Sequence, residues 1–205
     1  MSGRFCDAIL IARDCHVRLG PASSANQGRK EPVLLMALVS LFSRDLTTHY
    51  GMAAPYSINI LKTPKLDKLF GMYLRYVDHA NIFTSLVLNT CWSRFTGCKE
   101  LMHLACDRNQ KHFASDPASQ AEIALTRGLP RSETEELDSE DFAFYTAVEF
   151  LYPWATRYKT TASLGALSHQ EIAKRFMIPE MVVKIYFTTG YGELSEQCNT
   201  GMSIP

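Results

Sequence analysis

The chain has no excess of charge of either sign and no apolar run that approaches the length of a membrane span. Its 205 residues include 21 Lys and Arg and 21 Asp and Glu, for a formal net charge of +0. A dedicated nucleic-acid-binding protein usually carries a basic excess, so this balance disfavours that class. The longest apolar run, residues 33–39, has less than half of the ~20 residues that a helix needs to cross a bilayer. We therefore expect neither membrane insertion nor a primary role on nucleic acid.

The N-terminal stretch does not have the pattern of a signal peptide, so we expect none there. Its short apolar run, residues 8–12, is stopped at once by Arg13 and Asp14. The 6 cysteines are scattered, with no Cys-x-x-Cys pair. This pattern is typical of free thiols in a reducing compartment, and three of them have the spacing of residues packed along one helix: Cys91, Cys98 and Cys106. The sequence thus predicts a cytoplasmic protein with free thiols.

Hydrophobic patterning predicts an α+β fold that is mostly helical. Helical spacing runs from Pro32 to about His49, after a polar stretch at 20–31 that reads as a linker. Residues 57–61 alternate like a strand, and the alternation over 68–89 predicts a β-hairpin. Further helices are predicted over 90–106, 119–128, 142–152 and, as a C-terminal pair, 168–187. The acidic residues 132–141 are predicted to form a solvated loop before the 142–152 helix.

The most informative stretch is residues 94–103, which ends in Lys-Glu-x-x-His. The zinc-peptidase signature is His-Glu-x-x-His, in which two imidazoles four residues apart on a helix bind zinc and the Glu serves as general base. Here Glu100 and His103 keep the base and the second ligand, but Lys99 stands at the first ligand position. A protonated lysine has no lone pair to offer a metal.

Three stretches in order resemble the ImmA/IrrE family of zincin-like metallopeptidases, which occur on mobile elements and in bacterial stress regulation. The first is the hairpin followed by Arg94-Phe95-Thr96-Gly97-Cys98-Lys99-Glu100-Leu101-Met102-His103. The second is residues 142–153, similar to the family helix whose first Glu is the third zinc ligand. The third is Ile172-Ala173-Lys174-Arg175-Phe176 and the helix after it.

The resemblance implies a zincin-like domain at 32–190, preceded by a segment and linker at 1–31 and followed by a tail at 191–205. Active members of the family cut a repressor protein. In this chain Lys99 and, by the same alignment, Phe142 replace the first and third ligands, which leaves His103. The resemblance therefore implies a pseudoenzyme with a degenerate zinc site, without a cofactor, that keeps a groove for a protein partner or peptide substrate.

Two other functions stay open at the level of sequence. In the first, a zinc site is rescued by relocated ligands and Glu100 acts as general base; the candidate ligands are His103, Cys106, Asp107, Glu140 and Asp141. In the second, residues 168–187 form a DNA-binding helix-turn-helix, although the second helix is mostly apolar with one basic residue, Lys184. For Lys99 itself the alternatives are a counter-ion to a buried carboxylate or a solvated surface lysine.

Overall fold

A computed structural model of the chain describes residues 2–20, 35–64, 70–106, 135–154, 167–186 and Cys198. It confirms an α+β fold in which helices predominate and three strands form one small sheet. In chain order the elements are α1 Ser2–Leu19, α2 Leu35–His49, β1 Ser57–Thr63, β2 Gly71–Arg75, β3 His79–Ser85, α3 Thr90–Cys106, α4 Glu135–Leu151, α5 His169–Phe176 and α6 Glu180–Tyr186.

Two compact units make up the chain. The sheet unit is Leu35–Ala143, and the terminal unit combines Met1–Leu34 with Phe144–Pro205. Helix α4 therefore begins in the sheet unit and ends in the terminal unit. The domain boundaries expected from the sequence, after residues 31 and 190, stay a prediction.

The sheet unit is built around β3, the central strand of a sheet ordered β1-β3-β2. Strand β3 pairs antiparallel with β2, which confirms the predicted hairpin, and parallel with β1. Helix α3 packs on β2 and β3, and α2 packs on α3 and β1. The core between these elements is apolar, because the inward-facing positions of the strands and helices carry Leu38, Leu41, Phe42, Ile58, Ile82, Phe95 and Leu101.

A buried tyrosine closes the other end of the hairpin. The Tyr56 hydroxyl lies 2.9 Å from the main-chain carbonyl of Tyr76 and 2.7 Å from that of His79, and it is the donor to these oxygens. Burial raises the pKa of Tyr56 above its usual range, so the hydroxyl keeps the proton that it donates. The β2–β3 turn is thereby fixed to the segment that leads into β1.

In the terminal unit, α1 packs against the second half of α4. The Phe5 ring meets that of Tyr145 edge-on at 5.1 Å, and His16 Nε2 lies 2.9 Å from the main-chain carbonyl of Phe150. One face of α1 is buried, through Phe5, Ala8, Ile9, Ala12 and Cys15.

The predicted C-terminal helical pair is confirmed. Helix α5 begins with a capping box in which Glu171 N donates to Ser168 Oγ and Ser168 N donates to a Glu171 carboxylate oxygen. The helix ends at Phe176 and is capped by Met177, whose φ of 51° is left-handed, and Pro179 stands just before α6.

Two sequence predictions are wrong. Helix α4 starts at Glu135, so residues 135–141 are helical and not the predicted loop. Their carboxylates are compatible with a helix because negative charge near an N-terminus interacts favourably with the helix dipole. The free-thiol prediction fails for Cys6 and Cys198, which form a disulfide across a sequence separation of 192. Cys15, Cys91 and Cys98 have reduced thiols.

Two further predictions concern other parts of the chain. The helix predicted at 119–128 lies outside the described residues. Among the helices that the structure describes, none is long and apolar enough to cross a membrane.

Candidate functional site

Helix α3 carries the candidate site, and its start is set by a side-chain cap. The Asn89 Oδ1 atom accepts a hydrogen bond from Trp92 N at 3.0 Å, which satisfies one of the first main-chain donors of the helix. From Phe95 onwards α3 is buried on more than one face, because it lies between the sheet and α2. The residues enclosed there include two that are ionisable, Glu100 and His103.

Lys99 and Glu100 form an ion pair at the centre of this helix. The Lys99 Nζ and Glu100 Oε1 atoms are 3.0 Å apart, and the two side chains are 20% and 5% exposed. A carboxylate buried to this degree needs a compensating charge, because removal from water penalises the ionised form. Of the two roles considered for Lys99, counter-ion and solvated lysine, the structure therefore shows the counter-ion.

Strand β2 covers this part of α3 closely because Gly71 has no side chain. A Cβ atom on Gly71 would lie 2.3 Å from Thr96 Cγ2, 2.9 Å from the Phe83 carbonyl oxygen and 3.4 Å from Glu100 Cγ. The first two distances are too short for a real contact, so the approach of the strand requires glycine. The Glu100 side chain consequently runs directly beneath the first residue of β2.

Two residues further along β2, Tyr73 covers His103. Their rings are stacked with centroids 5.7 Å apart and an interplanar angle of 14°. Residues two apart on a strand point to the same face, so Gly71 and Tyr73 both face α3. His103 is only 1% exposed as a result.

The structure thus brings together three of the residues singled out in the sequence: Lys99, Glu100 and His103. Phe142 lies on α4, half-buried. Glu140 and Asp141 belong to α4 and Cys106 ends α3, but their side chains lie outside the described residues, as does the whole of Asp107.

These residues do not fit a zinc ion. Catalytic zinc sites supply three protein ligands and leave a fourth position open. The expected ligand positions hold the ammonium of Lys99 and the hydrocarbon ring of Phe142, neither of which has a lone pair for a metal. Within the part of the chain that the structure describes, no group of three His, Cys, Asp or Glu side chains could hold a metal. We derive no metal-dependent step for this chain.

Two charged features of the terminal unit have structural roles. Glu149 is buried, and one of its carboxylate oxygens accepts a hydrogen bond from Trp154 N at 3.2 Å, which anchors the chain just after α4. On α6, Lys184 Nζ lies 2.9 Å from Glu180 Oε1, so the basic residue of the proposed DNA-reading helix is paired on its own helix.

Sequence reasoning missed Gly71 and Tyr73. Both lie in the predicted hairpin, but their position above α3 depends on strand register and packing, which periodicity does not give. Among known proteins, no family model matches the chain, and no curated protein is significantly similar to it. The family relationship therefore depends on the three motif stretches and is a proposal.

Proposed function

We propose that this chain is a relative of the ImmA/IrrE metallopeptidases that carries a lysine–glutamate ion pair in place of the zinc centre and binds a protein partner without hydrolysing it. The observation that carries the proposal is the buried contact of 3.0 Å between Lys99 and Glu100. It occurs in the part of the Lys-Glu-x-x-His stretch where an active relative would have its first ligand and its general base.

The ion pair supports a loss of hydrolysis for a chemical reason. A zinc peptidase uses the metal as a Lewis acid and the glutamate as a base on the activated water. An ammonium supplies positive charge but has no vacant orbital, so it cannot take the Lewis-acid role. It can, however, serve as the ion-pair partner of the buried Glu100 side chain. The helix then keeps its packing under β2 without a metal.

Protein binding is supported by apolar side chains at one end of the sheet. Phe70, Leu86 and Val87 are 57%, 54% and 70% exposed. The segments that carry these side chains are joined at the end of the sheet by main-chain hydrogen bonds. Ser85 N donates to the Phe70 carbonyl, and Leu86 N donates to the Thr63 carbonyl. Clusters of exposed apolar side chains are common at protein–protein contact surfaces. We assign the partner to the class of proteins or peptides.

Zinc stoichiometry tests the proposal. The full chain is dialysed against zinc chloride, then against metal-free buffer, and its metal content is measured by plasma mass spectrometry. We expect well under about 0.1 zinc per chain, because one imidazole alone binds zinc weakly. About one tightly held zinc per chain would contradict the proposal and support the active peptidase with relocated ligands, Glu140 and Asp141 included. Metal-dependent proteolysis that is lost in Glu100→Gln would further support the active peptidase.

A gain-of-function variant tests the family relationship separately. Lys99→His combined with Phe142→Glu restores the three ligands that the resemblance implies, with His103 as the second. We expect this double variant to retain about one zinc per chain. The matched control is Lys184→His combined with Phe144→Glu, which has the same substitutions at other positions and should gain none. A double variant at 99 and 142 that folds but stays free of zinc would show that the alignment with the family is wrong.

The DNA-binding alternative is less well supported. Its second helix presents Glu180, Met181 and Lys184 to solvent, and the one lysine is paired with the glutamate. Phosphate contacts need basic groups that are available to the DNA. Salt-sensitive binding of duplex DNA, measured by fluorescence anisotropy and lost in Lys184→Ala, would favour this alternative over the proposal.

A further inference from the structure

A disulfide joins the two ends of the terminal unit. Cys6 lies on α1, near the start of the chain, and Cys198 lies seven positions before the final residue, Pro205. We infer that the Cys6–Cys198 bond is a redox-responsive clasp, which joins Cys198 to α1 under oxidising conditions and opens under reducing ones. This inference does not depend on the proposed function.

Helix α1 has other attachments that survive the loss of the bond. Phe5 packs on Tyr145, and the His16 ring stacks on that of Phe150 at 4.7 Å while its Nε2 atom contacts the Phe150 carbonyl. Reduction should therefore leave α1 in place on α4. What depends on the bond is the covalent attachment of Cys198 to α1.

Access to the bond favours exchange over inertness. Cys198 is only 6% exposed, whereas Cys6 is half-buried. An attacking thiolate therefore reaches Cys6 more readily than Cys198, and exchange starts at the more accessible cysteine.

The reaction needs only a cellular thiol buffer such as glutathione. The thiolate of one glutathione attacks Cys6 Sγ, the Cys6–Cys198 bond breaks, and Cys198 leaves as a thiolate that takes up a proton. A second glutathione thiolate attacks the mixed disulfide at its glutathione sulfur, which releases Cys6 as a thiol and yields oxidised glutathione. The reverse sequence closes the clasp, with oxidised glutathione as the oxidant.

The first experiment asks whether the bond responds to this buffer. The full chain is equilibrated at several ratios of reduced to oxidised glutathione, alkylated, and mapped by peptide mass spectrometry. We expect Cys6 and Cys198 to change together from disulfide to alkylated thiols within the range of ratios that spans oxidising and reducing compartments. Two results would overturn the clasp: both cysteines alkylated at every ratio, or the bond intact at the most reducing ratio.

The second experiment asks whether the bond has a structural consequence. We expect reduction to lower the melting temperature of the full chain by about 5–15 °C, because a cross-link restricts the unfolded chain. Cys6→Ser and Cys198→Ser should each melt like the reduced protein and no longer respond to reductant. Cys91→Ser is the matched control, since Cys91 has a reduced thiol and its variant should respond as the unsubstituted chain does. An equal melting temperature with and without the bond would contradict the clasp.

Discussion

At the scale of single residues, the Lys99–Glu100 pair gives the sharpest prediction. Lys99→Gln removes the positive charge 3.0 Å from a carboxylate that is 5% exposed. We expect a loss of about 1–3 kcal/mol in the free energy of unfolding, because a buried charge that loses its partner is costly. Urea denaturation at neutral pH measures it. Lys99→Gln combined with Glu100→Gln should recover part of the loss, since the buried charge is then absent as well.

An exposed pair on α6 serves as the control for this prediction. Lys184 and Glu180 are 2.9 Å apart, but their side chains are 58% and 44% exposed. Lys184→Gln should change the free energy of unfolding by no more than about 0.5 kcal/mol, because solvent screens such pairs. Equal effects at Lys99 and Lys184 would mean that burial does not strengthen the coupling at the candidate site.

Part of the candidate site could be predicted from the sequence, because three of its residues are close together in the chain. Lys99, Glu100 and His103 share one helix, so helical geometry alone places them near each other. The side chains from β2 could not be predicted in the same way. Tyr73 and Gly71 reach α3 through strand register and close packing, which are set by contacts distant in sequence.

At the scale of secondary-structure elements, replacing Gly71 or Gly97 by alanine should change the free energy of unfolding in opposite directions. Gly71→Ala would place a methyl group 2.3 Å from Thr96 Cγ2 and 2.9 Å from a main-chain oxygen, so β2 must move away from α3. We expect a loss of about 1–3 kcal/mol in unfolding free energy. Gly97→Ala, inside α3, would meet nothing closer than Leu35 Cδ2 at 3.6 Å. It should stabilise the chain by up to about 1 kcal/mol, because alanine favours the helix.

Chemical denaturation of Gly71→Ala and Gly97→Ala measures the two changes in the free energy of unfolding. Thr96→Ser removes the Cγ2 atom, so its combination with Gly71→Ala should recover part of the lost stability. Stabilisation by Gly71→Ala would show that β2 does not lie close on the site helix.

The capping box of α5 predicts a pH dependence. Hydrogen bonds from Ser168 hold the pKa of Glu171 below its usual value. The bond from the serine side chain has the larger effect, and the bond from its main chain the smaller one. A carboxylate whose pKa is lowered by folding stabilises the folded state above its unfolded pKa of ~4.3 and loses that contribution as the pH falls through the folded value. Ser168→Ala should thus lower the melting temperature by about 2–4 °C at pH 7.

The difference should shrink as the pH falls below the ordinary pKa of a glutamate and through the lowered pKa of Glu171, because the charge that the serine cap stabilises is then lost. Calorimetry across this pH range measures it. Glu171→Gln is the control, because it keeps the serine cap on the main chain but removes the titrating group. A Ser168→Ala effect that stays constant down to pH 3 would show that the Glu171 charge takes no part.

Most elements could be predicted, since periodicity and caps are local signals. The hairpin, α3 and the α5–α6 pair follow from strand alternation and from the helical spacing of apolar residues. The start of α4 could not, because its first turns are acidic and carry no apolar face to reveal a helical period. Composition alone suggested a solvated loop there.

At the scale of the whole molecule, the disulfide is the feature that the sequence could least reveal. Its two cysteines are separated by 192 positions, and no short-range spacing indicates which cysteines meet at such a distance. The pairing depends on how the two ends of the chain come together in the terminal unit. A chain with 6 cysteines allows many pairings, so composition does not select this one.

The two units can be followed separately because the chain has only 2 tryptophans, Trp92 in the sheet unit and Trp154 in the terminal unit. In Trp154→Phe the fluorescence reports on the sheet unit, and in Trp92→Phe on the terminal unit. Both cysteines of the disulfide belong to the terminal unit. We therefore expect reduction to shift the urea midpoint of Trp92→Phe by at least about twice as much as that of Trp154→Phe. Equal shifts would instead show that α4, which both units share, makes them unfold as one cooperative block.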